Sequence, residues 1–244
     1  MDEIGRLRFL RRYPVKSMTG EDLAEVFVTY AGLAGDRVHA FVVRGNHSDF
    51  PWMTGRQGSQ MILFRSRFLR GPEACDGHPA AERFAAEVTT PEGEKYRVGE
   101  PRFTEYLEKR FSKSLEYRFS ERSMGDCCPI SILSLPTVET LSGETGLPLD
   151  LRRFRANFII EWKSSEPFQE DKFVGQQLQI GEKMRMSIVA KDGRCKMITL
   201  DPETAAAAPQ VLDTVAKRHG GCTGVYGAVL QEGIVRTGDP VYAA

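Results

Sequence analysis

Met184, Met186 and Ile188 alternate with Arg185, Ser187 and Val189, and this period of two narrows the available folds more than any other feature of the chain. Successive side chains of a strand point to opposite faces, so the pattern belongs to a sheet with one buried face. Short segments that alternate, or are rich in β-branched and aromatic residues, recur at 6–10, 25–30, 37–43 and 60–65, with turn chemistry between them. Residues 83–98 read as a hairpin turning at Pro91, Glu92, Gly93 and Glu94. Further strands are expected at 130–134, 156–162, 176–180, 224–231 and 240–243, with a turn around Gly233.

Three segments have helical periodicity instead. Pro101 to Phe111 sets Phe103, Tyr106, Leu107 and Phe111 on one stripe. Leu135 to Ser142 has Ser134 as its expected N-cap and Gly143 as its stop. Residues 209–219 open on Pro209, carry Val211, Leu212 and Val215 on one face, and end in Lys217, Arg218, His219 and Gly220. The sum is a β-dominated α+β fold with a barrel-like core.

At 244 residues, and roughly 150 per domain, the chain has room for one to two domains. Its 41% hydrophobic content is too high for a disordered chain. Lys and Arg number 33 against 33 Asp and Glu, which excludes attachment to nucleic acid or an anionic membrane by bulk charge. No apolar run approaches the roughly 18 residues of a membrane span, and the acidic N-terminus has no signal-peptide pattern. Five cysteines, at 75, 127, 128, 195 and 222, are an odd and irregular set. They point to a reducing compartment, and the expected location is cytoplasmic; the Asn46-His47-Ser48 sequon would not be glycosylated there.

There is no G-x-x-x-x-G-K-[ST], H-E-x-x-H, G-x-S-x-G or paired C-x-x-C pattern, which removes the commonest nucleotide, zinc and serine-hydrolase readings. Gly220, Gly221, Gly224 and Gly227 follow a helix and precede a strand, the reverse of a pyrophosphate site. The histidines at 39, 47, 78 and 219 have no metal-like spacing. Cys195, between Arg194 and Lys196 after a β-like segment, is different. Flanking cations favour a thiolate, which is what a nucleophile or a soft metal ligand presents; the alternative is a buried structural cysteine.

Further pieces stand in one order over nearly the whole length: Tyr13-Pro14-Val15-Lys16-Ser17, Gly32 to Arg37, Met53-Thr54-Gly55-Arg56-Gln57, Arg153-Phe154-Arg155-Ala156-Asn157, Gly193 to Lys196, Asp201-Pro202-Glu203-Thr204, and Gly238 to Tyr242. In them the chain resembles the MOSC superfamily, named after the C-terminal part of molybdenum cofactor sulfurase, and most of all the mitochondrial amidoxime-reducing component and its bacterial relatives. The resemblance implies a MOSC β-barrel domain over 111–244, preceded by a smaller β-rich N-terminal domain over 1–110.

It also implies an oxidoreductase that holds molybdenum cofactor and reduces small N-hydroxylated compounds, such as amidoximes and N-hydroxylaminopurines, to amidines or amines in detoxification. Superfamily membership carries an association with pyridoxal phosphate as well. Electrons would come from a separate flavin, haem or iron-sulfur protein, since no C-x-x-C cluster site or appended ferredoxin module follows the last match. No nucleic-acid partner and no membrane span are expected. Cys195 would be the catalytic sulfur ligand of molybdenum.

Lys16, Ser17, Arg37 and Arg155 are donors suited to a phosphate's several oxygens. Asp126 would accept from the pterin N–H groups, and Asn157 would orient Arg155 or the cofactor. Cys127 stands where the family has Ser or Thr, with Cys128 beside it; Gly193, Ala156 and Gly55 are other departures. Asp201 would shape its loop or lie near substrate. Plainer readings stand beside these. Arg37 pairs with Asp36 at a turn surface, Arg56 and Gln57 brace the two halves, Asn157 satisfies backbone groups, and Arg6, Arg8, Arg11 and Arg12 form one solvated strand face. At the level of function, the alternatives are a cofactor or sulfur carrier without reductase turnover and a noncatalytic interaction module.

Overall fold

The computed structural model describes residues 2–71 and 80–243; Cys75 and His78 lie outside the described residues. The first half contains β1 (Glu3–Arg12), β2 (Glu21–Leu23), β3 (Glu25–Thr29), β4 (Gly32–Leu33), β5 (His39–Val43), β6 (Arg65–Phe68), α1 (Ala80–Arg83), β7 (Ala86–Thr89), β8 (Lys95–Arg97), α2 (Pro101–Phe111) and β9 (Leu115–Phe119). The second contains β10 (Ile130–Ser134), α3 (Leu135–Thr145), β11 (Phe158–Trp162), β12 (Gln177–Ile180), β13 (Met184–Gly193), α4 (Pro209–Arg218), β14 (Cys222–Gln231), β15 (Gly233–Arg236) and β16 (Pro240–Ala243).

Seven strands close into a barrel in the order β11-β10-β14-β13-β12-β16-β1, and β1 pairs back onto β11. Only β10 and β11 run parallel within it. Alternation builds its interior: Met184, Met186 and Ile188 are fully buried, and Leu7, Leu178, Phe158 and Val225 join them in the core. The first strand closes the ring because it has partners on both edges, β11 and β16.

A register shift between Leu7 and Phe9 changes which residues of β1 face inward. Gly5 and Leu7 are buried before it, and Leu10 and Arg12 after it. The basic run is therefore divided rather than one solvated face. Arg6 and Arg8 are exposed, whereas Arg12 is only 3% exposed and its Nη2 lies 2.8 Å from Glu21 Oε1. A bulge flips the phase of a strand, and sequence periodicity does not show where it sits.

A second apolar cluster gathers Val15, Met18, Phe41, Phe64, Phe103 and Leu107. Here α2 presents Phe103 and Leu107, both fully buried, each side chain stabilising the fold by about 1.5–3 kcal/mol. A third cluster packs α3 and α4 through Leu141, Val211 and Val215 onto Leu133 and Ile159 of the barrel wall. The expected strand at 60–65 is instead a 3-10 turn over Ser59–Leu63 followed by β6. Met61-Ile62-Leu63-Phe64 is an unbroken apolar run without alternation, and such a run does not distinguish strand from helix.

The second expected helix runs past Gly143 and ends where Gly146 takes φ 69°; that left-handed cap suits glycine. Ser134 does not cap α3, because its Oγ donates instead to the buried carboxylate of Glu170 at 2.8 Å. Gly233 begins β15, which pairs with β3, rather than a simple turn. No helix among the described residues is long and apolar enough to cross a membrane.

Candidate functional site

Loops and strand ends from distant parts of the chain converge on a cavity of about 100 Å³. Lys16 and Ser17 follow β1, Arg37 precedes β5, Asp126 precedes β10, Arg155 and Asn157 precede β11, and Cys195 follows β13. All seven line the cavity. Cys127 does not: it is exposed, and its neighbour Cys128 lines the wall in its place. Both residues lie in the irregular segment before β10, so a motif aligned by position does not settle which thiol turns inward.

Six described non-glycine residues have a left-handed backbone, and three are in this set: Ser17 at φ 65°, Arg37 at φ 52° and Arg155 at φ 54°. Each such residue costs about 1–3 kcal/mol and persists only where surrounding bonds hold it. Arg37 N donates to Tyr13 O at 2.6 Å, Arg155 N to Arg152 O at 3.2 Å, and Met18 N closes the turn over Ser17 by donating to Val15 O at 3.2 Å. The strain is concentrated at the cavity.

Arg37 is the centre of a buried polar network. Its Nη1 meets the carboxylate of Asp36, its Nη2 donates to Arg155 O at 3.0 Å, and Asn157 Oδ1 lies 3.5 Å from Nη1. Asp36 has no exposed surface, and its other oxygen accepts from Tyr13 N at 2.8 Å. This corrects the surface-pair reading. An exposed pair contributes about 0–1 kcal/mol, whereas breaking a buried one costs about 3–5 kcal/mol. Burial pulls the Arg37 pKa down, yet Asp36 and Tyr13 outweigh it and the net direction is up. Asn157, fully buried, accepts from Ser131 N at 3.2 Å and donates to Arg11 O at 3.2 Å; its contact is with Arg37 rather than with the Arg155 side chain.

Lys16 is 4% exposed. Its Nζ donates to Met124 O at 2.6 Å, meets the Asp126 carboxylate, and lies 5.4 and 5.5 Å from the ring centres of Phe50 and Trp52. Burial holds its pKa below the ordinary lysine value; Asp126 opposes this, while Arg37 and Arg155 add to it. Arg155 is likewise held down, to about 10, chiefly by burial. Arg155 Nη2 is buried without a hydrogen-bond partner.

Cys195, half-buried, stands two residues past Gly193, where β13 ends. Arg194, one of the two cations that flank it in sequence, bonds to other groups. Arg194 Nε donates to Thr223 O at 2.7 Å, Nη1 to Phe154 O at 2.8 Å, and Nη2 lies 3.0 Å from Asp192 Oδ2. Asp192 also accepts from Ser131 Oγ at 2.6 Å. Asp201 shapes its loop: Oδ1 accepts from the backbone N of Glu203 and Thr204 at 3.1 and 3.0 Å, and Oδ2 from Arg153 Nη2 at 2.8 Å. Gln57 closes its own turn by accepting from Thr54 N at 3.0 Å, whereas Arg56 lines the cavity and lies over Phe50 at 3.8 Å.

Among the lining residues that escaped the sequence reading are the polar ones Ser131, Asp192 and Tyr226. Ser131 had a signal, as the polar residue inside the apolar run Ile130 to Leu133. Tyr226 had none, because its pairing across β14 with Ser131 of β10 and Ala190 of β13 carries it there. Burial and the nearby Asp192 carboxylate push the Tyr226 pKa well up, so its hydroxyl keeps its proton. Burial, with Cys127 beside it, raises the Cys128 thiol to about 11. The two sulfurs lie 3.5 Å apart.

A closed, mainly antiparallel barrel with a cationic, thiol-bearing cavity at its strand ends defines the class. The MOSC domain matches residues 120–242, and the chain belongs to the MOSC domain family. It is 24% identical over 299 aligned positions to mitochondrial amidoxime-reducing component 1 of Xenopus laevis, covering 99% of this chain and 83% of that protein. The same identity holds for mitochondrial amidoxime reducing component 2 of Bos taurus, with 99% and 84% covered. The crystal structure of the YuaD protein from Bacillus subtilis shares the fold, with a TM-score of 0.51, 14% identity, and 97% and 93% of the two chains covered.

Proposed function

We propose that this protein holds molybdenum cofactor in the Cys195 cavity and reduces N-hydroxylated compounds to amines or amidines, drawing electrons from a separate flavin, haem or iron-sulfur protein. The observation that carries the reading is the meeting of an unengaged thiol, Cys195, with the donors of Lys16, Ser17 and Arg155 around one cavity. That donor set fits a phosphate-tailed chelate of a soft metal. Among the described residues no three His, Cys, Asp or Glu side chains form a metal cluster, so a metal held through Cys195 must bring its other ligands with it.

When bound, the molybdenum dithiolene supplies the two-electron chemistry of N–O cleavage. The chain's own residues have narrower tasks. Cys195 offers its sulfur. Lys16 offers a point charge and Arg155 a planar fork to phosphate oxygens, with the Ser17 hydroxyl as a further donor. Asp36 and Asn157 hold Arg37, whose Nη2 in turn fixes the Arg155 carbonyl. Tyr226 retains its proton on Oη and is a neutral donor in the wall. The cytoplasmic location belongs to the same proposal.

The test compares wild type with Cys195→Ala and Arg155→Ala, all produced in cells that synthesise the cofactor, by molybdenum content and by amidoxime reduction with reduced viologen. Cys195→Ala is expected to lose turnover by at least about 100-fold, and Arg155→Ala to lose most of its metal while remaining folded. Equal turnover in wild type and Cys195→Ala removes the ligand role. Metal retention without turnover in the wild type favours a cofactor carrier.

A further inference from the structure

A second cavity, of about 130 Å³, shares Arg153, Arg155 and Met197 with the first as a common wall. Arg11 lines this second cavity and not the first. Its lining combines the cations Arg11, Arg152, Arg153 and Arg155 with the apolar side chains of Ile62, Leu200 and Pro202.

Arg11, Arg153 and Arg155 are each fixed by their neighbours, and each has a donor left over. Arg11 grips Asp22 through Nε at 2.6 Å and Nη2 at 3.0 Å. Arg153 donates from Nη1 to Thr199 O at 2.9 Å and from Nη2 to Asp201 at 2.8 Å. Arg155 Nη1 donates to Met18 O at 2.9 Å. Arg11 Nη1, Arg153 Nε and Arg155 Nη2 remain, all buried and without a partner. Arg153 is only 7% exposed. Native interiors leave few buried donors unmatched, and here three belong to the residues of one cavity.

We infer that this cavity binds a small organic carboxylate, its oxygens accepting from the unmatched arginine N–H groups and its hydrocarbon body resting against Ile62, Leu200 and Pro202. Charge-assisted bonds from guanidinium to carboxylate are the strongest pairing open to these donors. The apolar wall favours a compact hydrophobic body over a bare inorganic oxyanion, which would leave it wet. Asp22 also lines the cavity, but Arg11 holds its carboxylate, which limits repulsion of an incoming anion. Arg11 Nη1 and Arg153 Nε suffice for the pairing if Arg155 Nη2 is engaged from the other cavity. The inference does not depend on the reading of the Cys195 site.

The test is calorimetric titration of the purified protein at low ionic strength with benzoate, acetate and inorganic phosphate. Benzoate is expected to bind at one site, at least tenfold more tightly than acetate or phosphate. Arg11→Met is expected to weaken benzoate at least tenfold, and Leu200→Trp to block it, both with unchanged molybdenum content. Cys195→Ala is expected to bind benzoate as the wild type does, which separates this site from the proposed metal chemistry. The inference is overturned if benzoate shows no saturable binding, if phosphate binds more tightly than benzoate, or if Arg11→Met keeps wild-type affinity.

Discussion

His39 shows how neighbours select a protonation state. A carbonyl only accepts, so Nε2, 2.8 Å from Phe84 O, carries the proton, and Nδ1 accepts from the Tyr117 hydroxyl at 2.7 Å. Burial lowers the pKa from 6.5 to about 4. Because the folded value lies below the unfolded one, the unfolded chain binds the extra proton first as pH falls. Stability from this group is therefore fully present above about pH 6.5 and is lost progressively toward pH 4, by about 3 kcal/mol in all. In urea denaturation across that window, His39→Gln is expected to show a shallower pH dependence than the wild type. An unchanged slope assigns the effect to other groups. The cavity residues show the same dependence on neighbours: Arg37 has the Asp36 partner its sequence context offered, but in the interior, and buried Asp192 holds Arg194.

At the scale of elements, two glycines carry opposite predictions. Gly143 is exposed within α3, and a Cβ there meets nothing, so Gly143→Ala is expected to raise stability by about 0.5–1 kcal/mol through helix propensity. Gly224 in β14 has φ 76°, and a Cβ there would lie 2.4 Å from Ile132 O and 3.2 Å from Arg194 Nη2. Gly224→Ala is expected to cost about 2 kcal/mol or more from backbone strain and the clash, and to disturb the Arg194 support beside Cys195. Thermal unfolding of both variants checks the pair, and equal shifts would contradict it. Elements with capped, periodic segments were legible in advance. The first predicted helix has the observed bounds Pro101–Phe111, and β10 falls on 130–134. The 3-10 turn at Ser59–Leu63 and the strand β15 were not, because packing of Met61 and Ile62 and pairing with β3 decide them.

For the whole molecule, the barrel depends on its first strand. A division at residues 110 and 111 would place β1 apart from β11 and β16, the strands to which it is hydrogen-bonded on either edge. A fragment of residues 111–244 would also lack β3, the partner of β15, leaving β11, β15 and β16 with unpaired edges and the interior without Leu7 and Leu10. Unpaired edges and lost core favour aggregation over folding. The fragment is expected to show no cooperative thermal transition, and a folded monomer by near-ultraviolet circular dichroism would refute the dependence.

Legible in the residues alone were the β-dominated class, most helices, the absence of the common nucleotide and zinc motifs, and a set of candidate residues of which all but Cys127 line one cavity. These features are written in local periodicity, in capping and turn residues, and in motif order, all of which act over a few neighbouring positions. Only packing between distant segments set barrel closure, the inward turn of Arg12 after the bulge in β1, the place of Cys128 rather than Cys127 at the wall, the burial of the Asp36–Arg37 pair, and the hold of Asp192 on Arg194. Each of these depends on strand register or on which buried charges meet, and both are set by contacts between segments more than a hundred residues apart as well as by close ones.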